Sequence, residues 1–422
     1  MRGLERVSSS GDDPARPEEA GGLLLGRVAS GVHLADGGSG YVNRRHCRLA
    51  LLLFLSWAVG RPCSWAAPGE RGVSERVDAL IREAGIAEDG PGVAVGVFGP
   101  EGALFQKGYG WADLERKTRI QPGTTFELAS VSKQFTGIAI LILVERGKVS
   151  FDDDVRKYLP ELPTYDRDHP ITLGDLSRHT SGLPDYMSFE DVKGVNRDFV
   201  TNGDYIPEFA KQREKFPLRF APGAKSVYSN TGYMLLASVV ERASGRSFGT
   251  FLKEEVFDPL GMKTAWVNES PRVRPNAPAV GYQREKKRWT PSWRAPTADH
   301  HESLLTTGDG AVWCSLDDMA AWDAGLRKGK PVKMDALRAA LAPRKARNGR
   351  LIAYAVGWSV EYGDAGSVAS MWHDGDWSGF ETYIGRDLKT GVTVVVLSNR
   401  GGVDAETLGT SVGTLFESAP PK

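Results

Sequence analysis

The sequence predicts an α+β fold: one antiparallel sheet assembled from both chain ends, flanked by helices, with a helical region at about residues 150–310 inserted between its strands. Three observations carry this. Gly92–Gly99 (GVAVGVFG) and Ala103–Tyr109 are strand-like runs joined by the turn residues Gly99-Pro100-Glu101-Gly102. Strand-like runs return late, at Ala353–Tyr362, Ser370–His373, Phe380–Gly385 and Val392–Leu397. Helical patterns and loops fill the space between.

Taken in order, Ser74–Ala84 puts Val77, Leu80 and Ile81 on one side of an amphipathic helix. After the first two strands, Phe135 to Val144 is apolar all round and reads as a buried helix, with Gly147 as its stop. Tyr233–Ala243 is a helix ended by Gly245, and Phe251–Val256 is another, before Pro259-Leu260-Gly261-Met262. A last helix spans about Ala405–Phe416. No internal repeat or low-complexity segment interrupts this order.

The 53 basic and 53 acidic residues leave a formal net charge of zero, which argues against nucleic acid or an anionic membrane surface as partner. With 41% hydrophobic residues in 422, the chain can bury one large core or two small ones. Arg44-Arg45-His46-Cys47-Arg48, the apolar run Leu49 to Val59 and Ser64-Trp65-Ala66 have the n-region, h-region and cleavage site of a signal peptide over 42–67. Residues 1–41, polar and without a period, read as a non-native or disordered leader, with Val42 close to the true start. Membrane association is expected only if this segment stays uncleaved, and the mature protein is expected to be periplasmic or secreted. Cys47 and Cys63 fall in the signal segment, so Cys314 alone remains, as a buried small hydrophobe.

Ser130-Val131-Ser132-Lys133 opens the buried helix. A serine there lies near the positive end of the helix dipole, and a lysine three residues on shares its face. A desolvated lysine can lose its proton and accept one from the hydroxyl, giving a serine nucleophile with its own base. Most Ser-x-x-Lys pairs are solvated surface, but apolar flanks would bury Lys133 without a job. Two further motifs converge on this one: Tyr228-Ser229-Asn230 after Ala221-Pro222-Gly223, and Trp372-His373-Asp374-Gly375 at the end of a late strand. Taken alone, the first is a turn with a helix cap and the second a strand-end histidine.

Together, in this order, they resemble the serine β-lactamase and penicillin-binding-protein superfamily, and most of all its class C-like branch of β-lactamase-related serine hydrolases (peptidase family S12). Gly108-Tyr109-Gly110, His179-Thr180-Ser181-Gly182-Leu183-Pro184, Pro259-Leu260-Gly261-Met262 and Gly308-Asp309-Gly310 also match. The resemblance implies a β-lactamase/transpeptidase-like domain over 74–418. It implies Ser130 as nucleophile, Lys133 and Tyr228 sharing the base and acid roles, and Asn230 holding the substrate amide and orienting Lys133. His373 would stand where many relatives carry lysine, and the N–H groups of Ser130 and Asp376, after Gly375, would form the oxyanion hole. No cofactor or metal is implied. His179 would shape the wall of the site without chemistry.

The implied activity is exported hydrolysis of a peptide, amide or ester through a Ser130 acyl-enzyme, of the DD-carboxypeptidase, D-aminopeptidase or esterase type. The substrate would be a small molecule or peptide, peptidoglycan-derived or containing a D-amino acid. A β-lactamase or a catalytically silent penicillin-binding or sensor domain are the alternatives, and His373 in place of lysine disfavours the β-lactamase. A carboxylate at Asp376 would repel an oxyanion unless turned away or paired; one use is to hold a free α-amine on the substrate, against a solvated loop aspartate. Gly245-Arg246-Ser247-Phe248-Gly249 matches G-x-S-x-G, but a helix precedes it, so Ser247 reads as an N-cap. Asp299-His300-His301-Glu302 reads as a solvated loop, without a second ligand cluster.

Overall fold

The computed structural model describes residues 70–192, 199–270, 278–292 and 304–417. The leader, the signal segment with Cys47 and Cys63, and Asp299–Glu302 lie outside them. All described residues belong to one compact unit, Ala66–Lys422.

The elements that position the site are α1 (Glu70–Glu83), β1 (Val93–Gly99), β2 (Gly102–Tyr109), β3 (Phe126–Glu127), α2 (Lys133–Glu145), α3 (Asn230–Ser244), β4 (Trp266–Val267), β5 (Val312–Cys314), α4 (Leu316–Arg327), β6 (Tyr354–Ala355), β7 (Trp358–Tyr362), β8 (Val368–Trp377), β9 (Phe380–Asp387), β10 (Thr393–Ser398) and α5 (Ala405–Glu417). Seven strands form one antiparallel sheet in the order β6-β7-β8-β9-β10-β1-β2, so β1 from the front of the chain pairs with β10 from its end.

Both sheet faces are covered, which explains why β1 and β10 are apolar throughout instead of alternating. Val93, Val95, Val97, Val394 and Val396 pack with Val77, Ile81, Leu408 and Val412 of α1 and α5. The opposite side chains, Ala94, Phe98, Val395 and Leu397, join a larger core with α2 and α3. Every residue of α2 from Lys133 to Leu143 is buried. Among the described residues, no helix is long and apolar enough to cross a membrane.

Two expectations are corrected. The single strand read over Ala353–Tyr362 is a hairpin, β6–β7, with Tyr354 opposite Ser359 and Ala355 opposite Trp358. Its two turn residues, Val356 and Gly357, have φ of 45° and 87°, the mirror-image turn that suits a right-twisted hairpin. A Cβ on Gly357 would lie 2.3 Å from both the Lys133 carbonyl oxygen and the Gln134 nitrogen, so the turn presses directly on the first turn of α2. The strand expected to end at His373 runs on to Trp377, paired with β9 through Trp377 opposite Phe380. Burial alternates from His373 to Asp376, with Asp374 and Asp376 on the exposed side, and so continues a strand that the two acids disguise.

Candidate active site

Ser130 sits in a short 3₁₀ turn, Ala129–Ser132, that runs straight into α2. The residue before it, Ala129, has φ of 49°. A non-glycine residue there costs roughly 1–2 kcal/mol, and such strain gathers where a side chain must be presented in one direction. One turn on, Lys133 is fully buried. Its Nζ donates to Ser130 Oγ at 2.9 Å and to the backbone carbonyl oxygen of Asp309 at 2.7 Å. Burial pushes its pKa down to about 8, against the opposing pull of Asp309, Asp185 and Asp374.

Tyr228 approaches from the loop before α3, and Lys133 Nζ lies 5.0 Å from its ring centroid. The phenol ring is half-buried among other rings: His179 at 4.5 Å, with Tyr354 and His373 each at 6.1 Å. The Ser229 N–H donates to His179 Nδ1 at 3.2 Å. That leaves His179 neutral with its proton on Nε2, in line with burial and the Lys133 charge holding its pKa well below the usual value. Thr231 Oγ1 donates to the Pro184 carbonyl at 2.7 Å, which ties the His179–Pro184 loop to α3. Asn230 opens α3 and lines the same cavity as Ser130.

His373 is buried on the inner side of β8, and both its ring nitrogens are engaged. Nδ1 is 2.5 Å from the Asp374 carbonyl oxygen, so it carries the proton, and Nε2, at 2.8 Å, accepts from the Tyr354 hydroxyl. Burial, then the Lys133 charge, push its pKa down to about 4, so it is neutral at physiological pH. Two residues on, Gly375 lies against the backbone of Ser130. A Cβ there would come within 2.5 Å of the Leu128 carbonyl oxygen and of Thr382 Oγ1, and 3.0 Å from the Ser130 nitrogen. Only glycine allows this approach. Pairing of β8 with β7 stops at Trp372 opposite Ser359, while its pairing with β9 continues to Trp377. From His373 onward β8 therefore has no strand partner on its β7 side among the described residues, and this edge lies beside Ser130.

Asp376 lines the cavity from this edge and is exposed. Partial burial of its carboxyl raises its pKa, and the Asp374 charge adds to the effect. All seven residues singled out from sequence thus gather around one cavity of about 580 Å³ or directly behind it. Sequence reasoning missed the Asp309 carbonyl, Tyr354 and the tyrosine behind it, Tyr233, whose hydroxyl accepts from the Gly357 N–H at 2.6 Å. Gly308-Asp309-Gly310 was the one trace of them. Ser247 is an N-cap, accepting from the Thr250 N–H, and Cys314 is a buried free thiol. Among the described residues, no cluster of three or more His, Cys, Asp or Glu could hold a metal ion.

A family model described as Beta-lactamase matches residues 77–412. Penicillin-binding protein 4* of Bacillus subtilis (strain 168) is 31% identical over 306 residues, covering 70% of this chain and 65% of its own length. A D-aminopeptidase of Gluconobacter oxydans (strain 621H) is 30% identical over 253 residues, covering 59% of this chain and 45% of its own. The chain thus spans less than two thirds of either relative. The solved structure of the octameric penicillin-binding protein homologue from Pyrococcus abyssi matches with a TM-score of 0.67 at 25% identity, covering 81% of this chain and 77% of that one. With the sheet built from both chain ends, this likeness bears out the expected β-lactamase/transpeptidase-like α+β fold.

Proposed function

The chain belongs to the beta-lactamase family, and from that premise we propose that it is a serine hydrolase cleaving a peptide, amide or ester through an acyl-enzyme on Ser130. The observation that carries this reading is the 2.9 Å contact between a buried lysine amine and the Ser130 hydroxyl at the wall of a substrate-sized cavity. In its neutral form Lys133 takes the Ser130 proton as Oγ attacks the substrate carbonyl carbon. The developing oxyanion is met by the N–H groups of Ser130 and Asp376. The leaving group departs with a proton delivered from the Lys133–Tyr228 pair, and water then attacks the ester while the same pair takes its proton. Asn230 holds the substrate amide. His373, neutral and held by Tyr354, acts through its packing on Tyr228.

The test is covalent. A fluorophosphonate should label Ser130, with the modified peptide found by mass spectrometry, and a screen of p-nitrophenyl esters, D-amino-acid amides and D-Ala-D-Ala peptides should find turnover. No label and no turnover would leave the silent binding domain. Rapid nitrocefin hydrolysis with none of the other substrates cleaved would leave the β-lactamase.

Tyr228→Phe keeps the ring among His179, Tyr354 and His373 and removes the hydroxyl. The expected result is a near-native melting temperature with kcat lowered roughly 10²–10³-fold, the range of a lost general acid–base group. A collapsed melting temperature with wild-type kcat in the folded fraction would make the tyrosine structural.

Export belongs to the same proposal. It is supported by the basic, apolar and small-residue pattern of 42–67. N-terminal sequencing of the protein from its native host should give a chain beginning near Ala67. A cytoplasmic protein that retains residues 1–66 would refute it.

A further inference from the structure

One wall of the cavity is a small sheet, in the order β3-β5-β4. Its register sets Glu127 opposite Trp313, and Trp313 opposite Trp266. Paired residues on neighbouring strands project from the same face. Phe126, Val312, Cys314 and Val267 occupy the other face and are buried in the core. Glu127, Trp313 and Trp266 therefore form a row, and all three line the cavity together with Ser130. The two indoles lie 5.6 Å apart, tilted by 31°, and Phe380 meets Trp313 edge-on at 5.2 Å.

The row is unsatisfied by the protein itself. The indole N–H groups of Trp266 and Trp313 donate to no acceptor among the described residues. Burial pushes the Glu127 carboxyl up to about 8. Among the described residues, the cavity is also lined by Asp309 and Asp376, and by no lysine, arginine or histidine. Asp309 is occupied, accepting from the Tyr186 hydroxyl at 2.9 Å. Asp376 is exposed, so water screens it. Glu127 is recessed and faces an aromatic surface, the combination that binds an organic cation: a carboxyl that ionises against an incoming ammonium and accepts its hydrogen bonds, and indole faces for the cation–π term. A substrate carboxylate in the same place would find no cation to pair with among the described lining residues.

We propose that Glu127, backed by Trp313 and Trp266, is a specificity-determining residue that selects substrates bearing a protonated amine. The proposal rests on the hydrolase reading and names the substrate class for that site. Glu127 is three residues from Ser130, so their Cα atoms are at most roughly 10 Å apart. The ammonium consequently sits within a few bonds of the scissile carbonyl, as an α-amine or a short side-chain amine does.

The test compares D-phenylalanine p-nitroanilide with its N-acetyl derivative. Wild type should favour the free amine, and Glu127→Gln, which keeps shape and removes charge, should lower the amine-to-acetyl ratio of kcat/KM by roughly tenfold or more. Trp313→Phe, which keeps an aromatic ring in the row, should lower the same ratio by less. Equal effects of both variants on both substrates, or no amine preference in wild type, would overturn the proposal. Binding separates this inference from the hydrolase reading. In Ser130→Ala, quenching of tryptophan fluorescence should show phenethylammonium binding more tightly than phenethyl alcohol, with the difference removed by adding Glu127→Gln. That contrast without fluorophosphonate labelling of Ser130 would uphold the cation site and reject the hydrolase. Labelling without the contrast would do the reverse.

Discussion

Ser130→Ala should lower kcat by about 10⁵–10⁶-fold on whichever ester or amide the wild-type enzyme turns over, the loss expected when a nucleophile is removed from a set of groups that act as one unit. The strained Ala129, the glycine-only approach of Gly375 and the buried Lys133 all converge on this one hydroxyl. Removing it costs the fold little. Lys133 keeps its bond to the Asp309 carbonyl, and Ser130 itself is only half-buried. The melting temperature should therefore stay within a few degrees of wild type while the fluorophosphonate label disappears. Ser247→Ala is the matched control. It removes a helix N-cap and costs about 1 kcal/mol of stability with kcat unchanged. Full turnover in Ser130→Ala, or loss confined to Ser247→Ala, would move the nucleophile elsewhere.

What could be read in the sequence follows from distance along the chain. Ser130 and Lys133 are three apart on one helical face, so local periodicity brings them together without any tertiary contact. Tyr228, Asn230 and His373 had no such warrant, and they joined the site through the order of three motifs. The Lys133 partner at Asp309 is a backbone carbonyl 176 residues away, which no side-chain pattern can announce. Tyr354 was hidden for a different reason. The apolar and β-branched run around it reads as one strand, and the turn at Val356-Gly357 carries a valine at positive φ where glycine or asparagine is usual. The Glu127–Trp313–Trp266 row lay deeper still, because its members are strangers in sequence until the register of three two- and three-residue strands is known. The outer architecture was legible because two helical layers enforce wholly apolar strands. The inner wall of the cavity was not, because pairing of short segments created it.

Lys133→Met should cost nearly as much activity as Ser130→Ala, and the double variant little more than either alone, since in the proposed mechanism both groups act in the same proton-coupled step. Methionine fills the same buried volume without a charge to desolvate, so stability should hold or rise. The pH dependence tests the role of the amine itself. A fall in pKa from 10.5 to about 8 corresponds to about 3 kcal/mol favouring the neutral amine in the folded protein. If the neutral amine is the base, kcat/KM rises with pH and levels off above about 8. If the charged form were the active one, kcat/KM would fall through the same range. Stability supplies an independent sign. The unfolded chain holds the Lys133 proton up to about 10.5 and the folded chain releases it near 8, so between these values the unfolded state binds more protons and stability rises with pH. Below about 8 both states carry the charge and this contribution is flat. Lys133→Met removes the rise. Thermal melts of both proteins from pH 7 to 10, beside a kcat/KM profile over the same range, would show it. A wild-type profile falling through pH 8, or a stability curve identical in the two proteins, would mean that Lys133 is charged at rest and that another group takes the Ser130 proton.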